Sequence, residues 1–192
     1  MEGEERILKN LPLATIIRPS IVYSVDDNFT TNFMTLLNRL PVFPLYYEGK
    51  TKFAPIHCSD LTDVIFNVIS NNVNSKIIEC VGPEIISFKE ILEKLLNLIG
   101  KKRLLIPMPL PIAQMSARVF EIMPKPLLTR DQLKLLKYDN VLSGKYKSNS
   151  DIGVPSLRYF DEEVKKYCYM WKEGGQFSTE KYASDNLDVK IN

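Results

Sequence analysis

The sequence predicts an α/β protein. Two observations carry that reading. The short apolar run Ala14-Thr15-Ile16-Ile17 suits a strand buried on both faces of a parallel sheet, and Lys76-Ile77-Ile78-Glu79-Cys80-Val81 is another short strand. Around them, longer segments repeat apolar residues at helical spacing. The elements are too few and too short for a complete doubly wound sheet.

The elements follow in order. Residues 2–9 read as the end of a helix, broken before Pro12; the absence of a cap is odd, because the first amides of a helix need partners. The strand at 14–17 runs into Arg18-Pro19 and should stop there, since proline cannot donate to a ladder. Asp26-Asp27-Asn28 is a turn and cap cluster. It opens a helix from Phe29 to Leu40 with Phe29, Phe33, Leu36, Leu37 and Leu40 on one face. Pro41 and Pro44 bracket an extended piece, and Tyr46 to Phe53, turning at Gly49-Lys50, reads as a hairpin. Ser59 or Asp60 caps a helix to about Ser70 with the stripe Leu61, Val64, Ile65, Val68 and Ile69.

The strand at 76–81 closes at Gly82-Pro83. Ser87-Phe88-Lys89-Glu90 is a capping box, and its helix stops at Gly100. Leu104-Leu105-Ile106 is a brief strand. A helix from about Ile112 to Met123 follows, and then a second capping box, Thr129-Arg130-Asp131-Gln132. Residues 157–172 read as a charged helix ending near Gly174-Gly175. The polar segment 176–192 reads as a disordered tail.

Composition narrows the function classes. The chain has 192 residues, 45% apolar and 25% charged, which is ordinary for a soluble globular protein. No apolar run is long enough to span a bilayer, and the acidic start, Met1-Glu2-Gly3-Glu4-Glu5, is not a secretory signal. Three widely spaced cysteines without a CxxC suit a reducing compartment and make neither a disulfide framework nor a zinc site. Net charge is +2, but residues 99–147 carry ten basic and three acidic side chains. That block reads as a solvated face; the alternative is a surface for an anionic or acidic partner.

The missing motifs are equally informative. The eight glycines form no GxGxxG and no P-loop, so the chain has no cradle for a pyrophosphate. It has no GxSxG and no HExxH, and the single histidine, His57, lacks metal-ligand spacing. Tyr46 and Lys50 spell Tyr-x-x-x-Lys, the spacing of an acid–base dyad, but that dyad needs both side chains on one helix face. Prolines before it and Gly49 within it argue against a helix.

Two segments carry a resemblance. Ile17-Arg18-Pro19-Ser20-Ile21-Val22-Tyr23 follows a buried strand, and Pro55-Ile56-His57-Cys58-Ser59-Asp60 leads into a helix. Together with Gly82-Pro83-Glu84 they resemble the second half of an extended or atypical short-chain dehydrogenase/reductase, of the NAD-dependent epimerase/dehydratase superfamily. Lys125 to Leu133, Leu136-Lys137-Tyr138-Asp139-Asn140-Val141 and Asp151-Ile152-Gly153-Val154-Pro155 are similar to one branch, the nucleotide-binding accessory subunit of respiratory complex I and its bacterial relatives. The likeness covers residues 1 to about 176.

The resemblance implies the last strands and helices of an NAD(P)-binding Rossmann-like domain (1–98, without the glycine loop) and a small, mostly helical domain for substrate or partner (99–175). Met1 would stand just beyond the family's Tyr-x-x-x-Lys. The chain therefore reads as the C-terminal portion of a longer protein, through a truncated gene model, an internal start or a split gene. The expected role is a non-catalytic accessory one; the alternatives are the C-terminal half of an NAD(P)-dependent epimerase, dehydratase or reductase, and an inactive gene fragment. Expected partners are complex I subunits or the missing N-terminal half, with peripheral membrane contact and no nucleic acid. The expected place is cytoplasmic, against the cytoplasmic face of the inner membrane, or the matrix side in a eukaryote. The helical stripe Ile112, Met115, Val119, Phe120 and Met123 reads as core, with a partner or membrane face as the alternative.

By the same resemblance Pro19, Ser20 and Val22 lie against the nicotinamide and its ribose. Pro19 ends the strand, Ser20 offers a hydroxyl and Val22 an apolar wall; without the resemblance they are a plain strand-to-loop exit. His57 reads as a loop residue bonded to backbone rather than a base, and Asp60 as a helix cap rather than an acid. Arg130 and Asp131 read as a local pair or cap rather than a substrate contact. No catalytic residue and no metal ligand is assigned. NAD(P) binding is expected of the intact protein and not of this chain alone, which should expose apolar surface where further strands would pack.

Overall fold

The computed structural model describes residues 2–71, 73, 76–109 and 136–175. The expected helix at 112–123, the Thr129–Gln132 box with Arg130 and Asp131, and the tail 176–192 lie outside the described residues.

An acidic first turn and a basic last turn suit α1 (Glu2–Asn10) to the helix dipole, yet it buries none of its residues. It is fastened by a bidentate pair: Arg18 donates through Nε and Nη2 to the two carboxylate oxygens of Glu4, each at 2.7 Å. Arg18 belongs to β1 (Ile16–Pro19), and β2 (Val22–Tyr23) follows at once. Proline is the last residue of β1, where its missing N–H costs no ladder bond.

Thr30–Arg39 forms α2. Its start is held by Asp27, whose Oδ1 accepts the Thr30 N–H at 2.5 Å and whose Oδ2 accepts the Thr30 hydroxyl at 2.6 Å. The expected turn and cap cluster is therefore present, with the helix beginning one residue later than Phe29.

The expected hairpin over 46–53 does not form. β3 (Val42–Leu45) ends in a 3₁₀ turn at Tyr46–Gly49, and Tyr47, Glu48 and Gly49 all take left-handed φ (50°, 57° and 69°). Three such residues in succession turn the chain away from β3. β4 (Lys52–Phe53) then pairs antiparallel with β7 (Ile86–Ser87), and β3 pairs parallel with β8 (Leu104–Pro107).

β5 (Ile56–His57) pairs parallel with β2 and leads straight into α3 (Cys58–Ser70). The N-cap is His57, not Ser59 or Asp60: its Nδ1 accepts the Ser59 N–H at 3.3 Å. Starting this early places Asp60 in the first turn, 4% exposed, where it receives the Arg158 guanidinium and the Arg158 N–H (3.2 Å). The apolar stripe of α3 is covered on one side only: Val64 is buried, Leu61 and Val68 are half-buried, and Ile65, Phe66 and Ile69 face outward.

β6 (Ile77–Cys80) lies parallel to β1 in the register Ile16↔Ile77 to Pro19↔Cys80. Its other edge takes β9 (Lys147–Ser148), also parallel, giving the sheet order β1-β6-β9. β1 is half-buried rather than buried on both faces, and among the described residues it has a strand neighbour on one edge only.

Ser87 and Glu90 close the expected capping box at the head of α4 (Phe88–Ile99): the Glu90 N–H donates to Ser87 Oγ (3.2 Å) and the Ser87 N–H to Glu90 Oε2 (2.6 Å). Gly100 ends it at φ 69°. The charged helix expected over 157–172 is shorter: α5 covers Phe160–Lys165, because Tyr159 is extended, and a separate 3₁₀ turn covers Cys168–Trp171.

One core joins α2, α4, α5 and the 3₁₀ turn. Met34, Leu37, Ile91, Leu92, Leu95, Phe160, Val164 and Cys168 are all 1% exposed or less within it. Phe29, Phe33, Phe53 and Phe88 add ring pairs with centroids 4.9–6.4 Å apart. A second, smaller core of Ile56, Val64, Ile78 and Cys80 joins α3 to the sheet.

Candidate functional site

In open parallel sheets, ligands bind beyond the carboxyl ends of the strands. Here those ends are Pro19-Ser20, Cys80-Val81 and Ser148-Asn149. Pro19 is exposed at the tip of β1. Ser20 is 7% exposed, and its N–H extends the ladder to the Cys80 carbonyl (2.8 Å). Its hydroxyl donates to the Asn140 carbonyl (2.8 Å) and accepts the Ala54 N–H (3.3 Å). Val22 does not sit beside them in the same environment: it is half-buried and packs against the smaller core.

Two further asparagines complete this end of the sheet, and sequence reasoning assigned neither to it. Asn140 is bound in both directions, its N–H to the Lys52 carbonyl (2.8 Å) and its carbonyl to the Ala54 N–H (3.1 Å). Asn149, 1% exposed, accepts the Val81 N–H (3.0 Å) and donates to the Val154 carbonyl (3.1 Å) and Ser156 Oγ (3.0 Å). Ser156 in turn donates to the Val81 carbonyl (2.7 Å). Gly82 crosses the 54–55 backbone so closely that a Cβ would stand 1.7 Å from the Pro55 carbonyl oxygen. That crossing is the signal in Gly82-Pro83-Glu84 that gives the glycine its physical meaning.

The second constellation surrounds His57. The Tyr23 ring meets the imidazole edge-on at 5.3 Å, and Glu163 Oε2 stands 3.9 Å from Nε2. Burial holds the imidazole below its ordinary pKa, against the opposing pull of Glu163. Burial, with Glu163 nearby, pushes the Tyr23 phenol up; its hydroxyl donates to the Arg158 carbonyl (3.3 Å). Cys80 is pushed up to about 11 by burial, so it is a protonated core thiol rather than a nucleophile. Tyr46 is buried while Lys50 pairs with Glu48 at the surface, so the Tyr-x-x-x-Lys spelling makes no dyad. Among the described residues, no three His, Cys, Asp or Glu side chains form a group that could hold a metal.

Parallel strands joined through helices, with backbone and short polar side chains gathered at their carboxyl ends, define a Rossmann-like α/β protein. A similar fold occurs in the nucleoside-diphosphate-sugar epimerase of Pseudomonas aeruginosa (TM-score 0.62, 11% identity, covering 92% of this chain and 54% of that one). It occurs also in dTDP-glucose 4,6-dehydratase from Bacillus anthracis, solved in complex with NAD (0.57, 14%, covering 88% and 48%). At these identities the likeness concerns the fold. No family profile matches the chain. In sequence the chain is similar to mitochondrial proteins called NADH dehydrogenase (ubiquinone) 1 alpha subcomplex subunit 9, and in fold it is similar to solved epimerases and dehydratases. It is 27% identical to the Arabidopsis thaliana protein over 184 residues, covering 90% of this chain and 46% of the relative. The Mus musculus protein is 24% identical over 155 residues (79% and 41%). The chain thus spans less than half the length of these curated relatives.

Among the described residues no pair of close-set glycines opens a helix. A pyrophosphate needs amides exposed by close-set glycines at a helix start, and the glycines of this sequence are not so spaced. The tightest glycine, Gly82, is filled by the Pro55 carbonyl rather than open to a ligand. At the strand ends Pro19 is exposed, while Ser20 beside it is buried with its N–H and hydroxyl paired.

Proposed function

We propose that this chain forms the nicotinamide-side wall of an NAD(P) pocket in a non-catalytic accessory protein of respiratory complex I. Pro19 and Ser20 present the wall, and Val22 fixes the loop behind it through the smaller core. The pyrophosphate cradle would come from polypeptide outside these residues. In this reading residues 1–98 are the Rossmann-like segment and 99–175 the part that meets a partner.

The similarity to complex I subunits over 90% of the chain carries the proposal. The use made of the polar side chains supports it. His57 caps α3, Asp60 anchors Arg158, and the Ser20 hydroxyl ties two backbone segments, so each has a structural task. The fold of the solved epimerases and dehydratases favours the second reading, part of an NAD(P)-dependent enzyme of that kind. The proposed location is the mitochondrial matrix side of the inner membrane, as a peripheral subunit; among the described residues no helix is long and apolar enough to cross a membrane.

The test is affinity purification of the tagged native gene product, followed by native electrophoresis stained for NADH dehydrogenase activity. Migration with the active complex is expected. Recovery as a free protein that turns over a nucleotide sugar would replace the accessory reading with the enzymatic one.

A further inference from the structure

The environment of His57 does more than end a strand. The side chain is 13% exposed at the junction of three elements. Tyr23 faces it from β2, Asp60 from the first turn of α3, Glu163 from α5, Lys166 from just past the end of α5, and Arg158 from the segment before α5. Asp63, one turn along α3, shares Arg158 at 3.6 Å. The acceptance of the Ser59 N–H by Nδ1 fixes the neutral tautomer: Nδ1 bears the lone pair and Nε2 the proton. Nε2 is the nitrogen on the Glu163 side, at 3.9 Å.

A second proton can be added only at Nδ1. It removes the acceptor, so the first turn of α3 loses its cap. It also places a cation at the positive end of that helix, where charge of that sign is disfavoured. Glu163 and Asp60 favour the added charge, while Arg158 and Lys166 oppose it.

We propose that His57 is a proton-sensitive latch on the first turn of α3: it caps that turn while its imidazole is neutral and releases it when protonated. That turn heads the helix whose Val64 belongs to the smaller core, and β5 runs directly into it.

The sequence makes the test clean, since His57 is the single histidine. Its ring protons can be followed by NMR across a pH titration of the full chain without assignment. The expected midpoint lies below the ordinary histidine value of about 6.5, and protection of the amides of residues 59–61 against hydrogen exchange falls through the same midpoint. His57→Asn keeps a capping acceptor but cannot titrate, so protection at 59–61 should become flat across that range. Glu163→Gln should lower the imidazole midpoint further, because the carboxylate that favours the imidazolium is gone. A midpoint at or above 6.5, an equal loss of protection in His57→Asn, or a rise in Glu163→Gln would each overturn the latch.

Discussion

A methyl group at position 82 has no place to go: 1.7 Å from the Pro55 carbonyl oxygen, against backbone rather than a flexible side chain. Gly82→Ala should therefore cost about 3 kcal/mol, the upper part of the range for overpacking, read as a fall in the urea midpoint with an unchanged slope. Ser20 makes a different kind of link. Its hydroxyl joins the Asn140 carbonyl to the Ala54 amide, two segments 86 residues apart in sequence. Ser20→Ala should cost about 1–2 kcal/mol in the same measurement, because the lost hydroxyl leaves the buried Ala54 amide with one acceptor fewer. The candidate nicotinamide contact is thus also a structural residue, and a loss of cofactor affinity in this variant has meaning only beside its stability.

The helices owe their boundaries to local chemistry. The Ser87–Glu90 box opens α4, and removing its hydroxyl with Ser87→Ala should cost about 1 kcal/mol. The Ser87 hydroxyl and N–H hold the Glu90 carboxyl below the ordinary 4.5. A carboxylate with a lowered folded-state pKa stabilises above its unfolded value and loses that contribution as pH falls through the folded one. Thermal melts should therefore show a steeper loss of stability below about pH 4.5 in the native chain than in Glu90→Gln, which keeps an acceptor but does not titrate. α1 is held in another way. With none of its own residues buried, it depends on the Glu4–Arg18 pair, to which the Arg18 guanidinium adds a contact over the Tyr146 ring at 4.8 Å. Glu4→Gln should speed hydrogen exchange throughout α1 and leave α4 unchanged; equal rates in the two proteins would show that α1 has another anchor.

At the scale of the whole chain, the sequence made some features legible and hid others for physical reasons. The capping box, the Gly100 stop and the isoleucine runs of β1 and β6 announce themselves, because each rests on neighbours within a turn or a strand. β7 and β9 did not, since two residues have no period to read. The parallel pairing of β3 with β8 needs partners some sixty positions apart, and the hairpin expected at 46–53 failed because Tyr47 and Glu48 adopt the left-handed backbone that the sequence assigns only to Gly49. Of the candidate site, the Arg18-Pro19-Ser20 exit was legible through its likeness to a family. Asn140 and Asn149 were not, because their roles exist only once distant loops meet the strand ends.

The account's central claim is that these strand ends form one wall of a dinucleotide pocket and lack the phosphate-binding half. Calorimetric titration of NADH and of NADPH into the 192-residue chain tests this directly. No saturable heat is the predicted result. Stoichiometric binding at micromolar affinity would mean that this polypeptide alone builds a complete site, and the claim would fall.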